Sequence, residues 1–445
     1  MNSTDTKNIE QINNKKDHRK IFRWFAIVSL LSLIAAFALP AGAGESIVPK
    51  QVRLAIAGDS ITEQKIYSRD LEMYLTVCQP QLEACVFQFG SGGETAGGFL
   101  SRMDADLKYF KPTMVTLCYG MNDGHYHAYE PSLGEAYEKA LAEIVSKLKS
   151  ENVQPVVSGP GAVDTEYFKS RGLSVPCDVY NQTLQELSAI AGRVAASNQC
   201  PHVDLHGLMI KVMAKAKRAL GQDYDVCGRD GVHPRPNGHL IMADAFLKGM
   251  GFDGDLGTVT LDYQGKSSAE GGHVLKSFDQ GQAVVESKRY PFCFSGDVHS
   301  TNSADSILPF LPFNSDLNRL TLVVKHAPSE KMKVSWGKRE KVFSKTDLEK
   351  GINLAAEFNP NPFNADFERV EAAVAAKQAY ETDMIKNMAH GLRAVRNSYQ
   401  QDKEALAAVD LLDRKMIERW EDLNAKVKAS FKPVTSTIRI ESASE

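Results

Sequence analysis

The sequence predicts an α/β protein: a mainly parallel sheet with helices on both faces, followed by an antiparallel β domain that carries a long helical pair. Three observations predict it. From Val52 to about Gly251, short apolar runs alternate with longer stretches in which apolar residues recur every three or four positions, the order of a parallel sheet covered on both sides. After Gly251, brief β-like runs follow one another across turns. From Asn364 to Phe431 the chain is rich in Ala, Glu, Lys and Leu, with one apolar helical face. The 445 residues suit two or three such units, at about 150 residues each.

The first segment reads as an export signal. Lys15, Lys16, Arg19, Lys20 and Arg23 precede an uncharged, mostly apolar run from Trp24 to Leu39, which Pro40 ends. Ala41-Gly42-Ala43 supplies the small residues a signal peptidase reads, placing cleavage after Ala43. The run is shorter than the ~20 residues of a spanning helix, so no stable membrane span is expected after cleavage. An uncleaved signal anchor is the alternative. The expected destination is the periplasm, cell envelope or extracellular space. Removing residues 1–43 takes away six basic and three acidic residues and moves the formal charge from −3 to −6. Such a balance lacks the basic excess that nucleic acid requires. With 43% hydrophobic and 24% charged residues, the composition also excludes a disordered, collagenous or multi-span membrane chain.

The predicted strands of the α/β unit are Val52–Ala57, Cys85–Phe89, Met114–Cys118, Pro155–Ser158 and His202–Leu205, with helices at Leu133–Leu148, Val179–Val194 and Asn237–Leu247. In the β domain, Thr258–Tyr263, Ala283–Tyr290, Leu320–Lys325, Met332–Trp336 and Lys341–Ser344 read as strands. Leu412, Met416, Trp420, Leu423 and Val427 share one helical face, read as an internal packing surface, and the helices break near Gln400. Beyond Pro433, Val434, Ser436, Ile438 and Ile440 alternate with polar residues as in a half-buried strand. The chain therefore divides into a signal peptide (1–43), an α/β domain (44–251), a β domain (252–361) completed by residues 432–441, and a helical pair (362–431).

Chemistry gathers at the predicted carboxyl ends of strands, where open α/β sheets hold their sites. Gly58-Asp59-Ser60 places a hydroxyl just past the first strand. A serine becomes a useful nucleophile only when a base takes its proton and an acceptor orients that base. Asp230-Gly231-Val232-His233-Pro234 offers both, three residues apart. By itself each segment has a plainer reading, Asp59 as a helix cap and Asp230 and His233 as a surface pair. His239 is read as structural. Acyl transfer also needs donors aimed at the oxygen that becomes negative. Gly93, in Gly90-Ser91-Gly92-Gly93-Glu94-Thr95, exposes a backbone N–H, and Asn122, in Gly120-Met121-Asn122-Asp123, carries an amide.

Taken in this order, the four segments resemble the SGNH family, also called GDSL-type hydrolases, over about residues 52–251. The resemblance implies a flavodoxin-like three-layer fold and esterase activity. It implies Ser60 as nucleophile, Asp230 and His233 as its partners, and the Ser60 N–H, Gly93 and Asn122 as the oxyanion hole. The family often has Asp where this chain has Glu94, beside the glycine that acts as donor. The α/β-hydrolase elbow, Gly-x-Ser-x-Gly, is not met, because Thr62 stands two residues beyond Ser60. His125, Tyr126 and His127 lie on the predicted rim as substrate contacts. A metal site lacks the three or four convergent ligands that zinc needs, and no cofactor is expected.

The substrate implied is a small-molecule or glycan ester carrying a short acyl group, the oligomeric state being left open. The alternatives are an O-acyltransferase using the same site and a non-catalytic envelope or carbohydrate-binding protein. Among the seven cysteines, Cys78 and Cys85 are the nearest pair and Cys118 reads as a buried thiol, with connectivity left open. Trp336 and Tyr290 are read as binding residues or as core.

Overall fold

Strand β1 (Arg53–Gly58) runs through the middle of the protein with Leu54 and Ile56 packed into one hydrophobic layer and Ala55 and Ala57 into the other. A strand covered on both faces has no polar side to show, which is why its sequence is a continuous apolar run. The computed structural model describes residues 46–168 and 175–443; the predicted signal peptide lies outside them. Residues 45–445 form one unit.

After β1 come α1 (Tyr67–Met73), β2 (Cys85–Gln88), α2 (Ala96–Leu107), β3 (Met114–Cys118), α3 (Pro131–Ser150), β4 (Gln154–Ser158), α4 (Cys177–Ser197), β5 (His202–Val203), α5 (Leu205–Leu220) and α6 (Pro236–Gly249). The five strands are parallel, in the order β2-β1-β3-β4-β5. The chain steps from β1 to β2 on one side and then crosses back past β1 to β3 on the other, so a crevice opens at the carboxyl ends of these strands. His202 begins a strand as expected, but Leu205 already belongs to α5, where Asp204 caps the first turn by accepting from the Gly207 N–H at 2.9 Å.

The remaining strands are β6 (Asp255–Asp262), β7 (Ser268–Ala269), β8 (His273–Asp279), β9 (Gln282–Ser287), β10 (Arg319–Lys325), β11 (Lys331–Trp336), β12 (Arg339–Ser344) and β13 (Ile352–Asn353). Helices α7 (Asn364–Asp383), α8 (His390–Ser398) and α9 (Lys403–Ser430) follow, and β14 (Val434–Ser442) ends the described chain. One sheet has the order β12-β11-β14-β9-β8 and is antiparallel throughout, with the C-terminal strand in its middle. The other, β13-β10-β6-β7, contains a parallel pair, β6 with β10, which consecutive strand-like runs in a sequence do not reveal. Strand β8 escaped the sequence pattern because it is an edge strand whose side chains are mostly solvent-facing. Trp336 and Tyr290 are both buried, the first with its indole N–H on Ser436 Oγ at 3.3 Å, so they belong to the core.

Helices α7 to α9 form an arm that packs on the outer edge of the parallel sheet. Met416, Trp420 and Val427 are buried there, Trp420 against Phe87 and Phe110, whereas Leu412 is exposed where a buried position was expected. The break at Gln400 falls between α8 and α9. Polar groups from α7 satisfy the free edge of β2: Lys377 Nζ donates to the Val86 carbonyl at 2.6 Å and Glu381 Oε2 accepts from the Gln88 N–H at 3.0 Å. Side chains thus take the place of a neighbouring strand. Lys377 is fully buried between Glu72, 3.1 Å away, and Glu381. Cys78, Cys85 and Cys118 are free buried thiols.

Candidate active site

Past Gly58 the chain turns into a single helical turn, Ser60–Glu63, capped by Asp59, whose Oδ1 accepts from the Ile61 N–H at 2.9 Å. The plain reading of Asp59 as a cap thus holds alongside any chemical one. The turn carries Ser60 to the mouth of the crevice. Its Oγ lies 2.8 Å from His233 Nε2, and His233 Nδ1 lies 2.6 Å from Asp230 Oδ2. An ionised carboxylate only accepts, so Nδ1 carries the ring proton and Nε2 is left to accept from the serine hydroxyl.

The loop that presents His233 is held by its own backbone. Asp230 Oδ1 accepts from the N–H groups of Val232 and His233, both at 2.9 Å. Gly231 has φ +75°, and a Cβ there would meet the Phe168 backbone at 2.3 Å, so glycine is required twice over. Partial burial raises the Asp230 pKa, but the bonds from His233 and the two backbone N–H groups outweigh it and hold the carboxyl well below the usual range. His239, by contrast, is buried, accepts from the Tyr67 N–H and meets Gln64 Oε1 at 3.0 Å. Burial lowers its pKa to about 3, as suits a neutral structural histidine.

Two loops complete the crevice. Gly93 has φ +72° and open space where its Cβ would be; backbone conformation, rather than crowding by the protein, explains glycine here. The next residue, Glu94, turns inward, taking two bonds from Arg102 at 2.6 and 2.7 Å and one from the Tyr119 hydroxyl at 3.0 Å. The Glu94 carbonyl accepts from Asn122 Nδ2 at 3.0 Å, and Asn122 Oδ1 meets the Tyr126 hydroxyl at 3.4 Å. The amide is therefore oriented with its N–H₂ toward the glycine loop. Asp123 joins the loops by accepting from the Ala96 and Gly120 N–H groups at 2.9 and 3.0 Å.

Of the predicted residues, Ser60, Asp230 and His233 form one hydrogen-bonded chain, while Asn122 joins the Gly93–Glu94 loop. Tyr126 stacks on Tyr180, with ring centroids 5.0 Å apart, and reaches Asn122, whereas the side chains of His125 and His127 are exposed. Sequence reasoning gave no role to the Glu94–Arg102–Tyr119 cluster or to Asp123. The adjacency of Asp123 to Asn122 was a signal for the latter; Arg102, inside α2, offered none. Burial pushes the Asp59 carboxyl up to about 7 and that of Asp123 up to about 6. Among the described residues, no cluster of His, Cys, Asp or Glu is arranged to hold a metal ion, and no helix is long and apolar enough to cross a membrane.

A serine and an imidazole are joined past the strand ends of a parallel sheet covered on both faces, and the matches to known proteins are to hydrolases acting on ester bonds. Residues 56–241 match the model of the GDSL-like Lipase/Acylhydrolase family. The chain is 25% identical over 185 residues to an acetylxylan esterase of Geobacillus stearothermophilus, an alignment covering 40% of this chain and 78% of that protein. A solved structure of a gut microbial diltiazem-metabolizing enzyme superimposes with a TM-score of 0.69 at 21% identity, covering 90% of this chain and all of that one. That likeness is one of fold, and its coverage extends well beyond the parallel sheet.

Proposed function

We propose that the protein is an exported serine esterase that hydrolyses short acyl esters, such as an O-acetyl group on a glycan, through Ser60, His233 and Asp230. The observation that carries this reading is the unbroken relay from Ser60 Oγ through the imidazole to the Asp230 carboxylate, with bonds of 2.8 and 2.6 Å. His233 Nε2 takes the Ser60 proton as Oγ attacks the ester carbonyl, and Asp230 steadies the resulting imidazolium. The N–H groups of Ser60 and Gly93 and the Asn122 amide donate to the oxyanion. Collapse of the intermediate passes the Nε2 proton to the departing alkoxide and leaves an acyl-serine. Water, deprotonated by His233, then attacks the acyl carbon, and the free acid leaves as the proton returns to Ser60.

In this reading residues 1–43 are the signal peptide, 44–251 the catalytic domain, and 252–361 with 432–441 and the helical pair 362–431 the accessory parts. Tyr126, held at Asn122, is a substrate contact, with His125 and His127 on the rim. The similarity to an acetylxylan esterase supports the choice of an acetylated glycan, and the leader supports export. A fluorophosphonate probe, followed by mass spectrometry of the labelled peptide, tests the site: Ser60 is labelled, and Ser60→Ala abolishes both labelling and ester hydrolysis. Labelling of another serine, or hydrolysis retained in Ser60→Ala, overturns the assignment. Free acid, rather than an acylated acceptor, is the expected product.

A further inference from the structure

We propose that Arg102 is a positioning residue for the oxyanion hole: its guanidinium fixes Glu94, and the Glu94 carbonyl sets the direction in which Asn122 donates. The inference rests on the esterase reading above. Arg102 lies on α2, eight residues past Glu94, and the two side chains are each 9% exposed. Its planar fork meets four acceptors. Nε donates to Glu94 Oε1 at 2.6 Å and Nη2 to Glu94 Oε2 at 2.7 Å; Nη2 also reaches the Phe89 carbonyl at 2.7 Å, and Nη1 reaches Asp106 Oδ2 at 2.8 Å. The Tyr119 hydroxyl completes the set by donating to Glu94 Oε2 at 3.0 Å. A bidentate guanidinium–carboxylate pair fixes direction as well as distance, which the point charge of a lysine does not.

What this clamp holds is the loop between β2 and α2. Phe89 follows the last residue of β2, so Arg102 ties the carboxyl end of that strand to the residue after Gly93. Gly93 has no side chain to anchor it, and its backbone depends on the fixed neighbour. The Glu94 carbonyl takes one hydrogen of Asn122 Nδ2 at 3.0 Å. An amide is planar with two donors, so holding one N–H fixes the direction of the other, and that second hydrogen is the one left for the oxyanion. The arm fastens the clamp from behind. Asp106 is fully buried, and besides Arg102 its carboxylate accepts from His390 Nε2 at 3.1 Å and from Arg393 Nη2, both on α8. These bonds hold Asp106, which holds one edge of the guanidinium and leaves the Nε edge turned to Glu94.

The test is a double-variant cycle on 4-nitrophenyl acetate. Arg102→Lys keeps the charge and loses the fork. It should lower kcat about tenfold and change KM less than about twofold, since a misplaced donor costs rate rather than ground-state binding. In an Asn122→Ala background the same substitution should cost about threefold or less, because residues that act as a unit do not add their effects. A purely structural role predicts the same factor in both backgrounds. Equal factors, an unchanged kcat, or a rise in KM in place of a fall in kcat overturns the proposal. If Arg102→Lys does not fold, Arg393→Met, at a partly exposed side chain, loosens Asp106 and enters the same cycle. It should lower kcat about two- to fivefold alone and add nothing to Asn122→Ala; equal losses in the two backgrounds overturn the proposal there too. Wild-type protein inactive on 4-nitrophenyl acetate and unlabelled at Ser60 overturns the esterase reading instead.

Discussion

Lys386 Nζ lies 2.7 Å from Glu63 Oε1, joining a π-helical segment of the C-terminal arm, Met384–Ala389, to the helical turn that begins with Ser60. The same carboxylate borders the glycine loop, since a Cβ on Gly92 would come within 2.9 Å of Glu63 Oε2. Nearby, Gln88 Nε2 donates to Thr382 Oγ1 and Gln88 Oε1 accepts from the Gly90 N–H at 2.6 Å. The arm thus touches both the nucleophile's turn and the strand that leads into the Gly93 loop.

Lys386→Met is expected to lower kcat roughly three- to tenfold with KM little changed, because alignment of reacting groups is sensitive to small displacements. The pair is partly exposed and is worth at most about 1 kcal/mol to stability, so the melting temperature should shift little. Lys386→Arg should restore kcat. Steady-state kinetics on 4-nitrophenyl acetate and a thermal melt distinguish this from general unfolding, in which both quantities would fall together.

Asn122→Ala removes one proposed oxyanion donor and should cost about 2.7 to 4 kcal/mol of barrier, a hundred- to a thousandfold in kcat. The ground-state carbonyl bears little charge, so KM should change far less. Full turnover in the variant would take Asn122 out of the mechanism.

Asp59 gives stability a pH dependence of defined sign. Burial raises its pKa from 3.8 to about 7 against the opposing bond from the Ile61 N–H, with His233 also lowering it and Asp123 and Glu94 raising it. The folded protein binds this proton more tightly than the unfolded chain, so its contribution to stability falls as pH rises from about 4 to 7. Asp59→Asn cannot ionise. The melting temperature of Asp59→Asn minus that of wild type should increase between pH 4 and pH 8, by the equivalent of up to about 4 kcal/mol, whatever constant offset the amide introduces. A pH-independent difference would show that Asp59 is ionised throughout.

Lys377→Met leaves Glu72 and Glu381 facing each other in the interior without their shared cation. Loss of one partner from a buried charge cluster costs about 3 to 5 kcal/mol, to be read from urea denaturation. A loss below 1 kcal/mol would mean that water reaches this part of the arm. Glu72, already pushed up to about 7 by burial despite Lys377, is the group expected to take up a proton in the variant.

The parallel sheet was legible because a strand buried on both faces must be apolar along its length, and the helices between strands must repeat near 3.6 residues. The four chemical segments were legible because each is local: a hydroxyl after a strand, a carboxylate and an imidazole three residues apart, a glycine loop, and an amide beside a glycine. Strand β8 and the parallel pairing of β6 with β10 were not, since edge strands carry little hydrophobic signal and pairing direction is a property of two segments. Leu412 repeats with its neighbours at helical spacing, yet α9 extends past the surface it packs against there.

By itself, the sequence determined which residue types stand at which strand ends, because strand periodicity and turn chemistry act over a few residues. Tertiary structure decided which of them meet: His233 with Ser60 across 173 positions, and Lys386 with Glu63 across 323. Such contacts depend on how far the sheet twists, which helix covers its edge, and where buried charges find partners. These are energies summed over the whole packed chain, and no short window of sequence contains them.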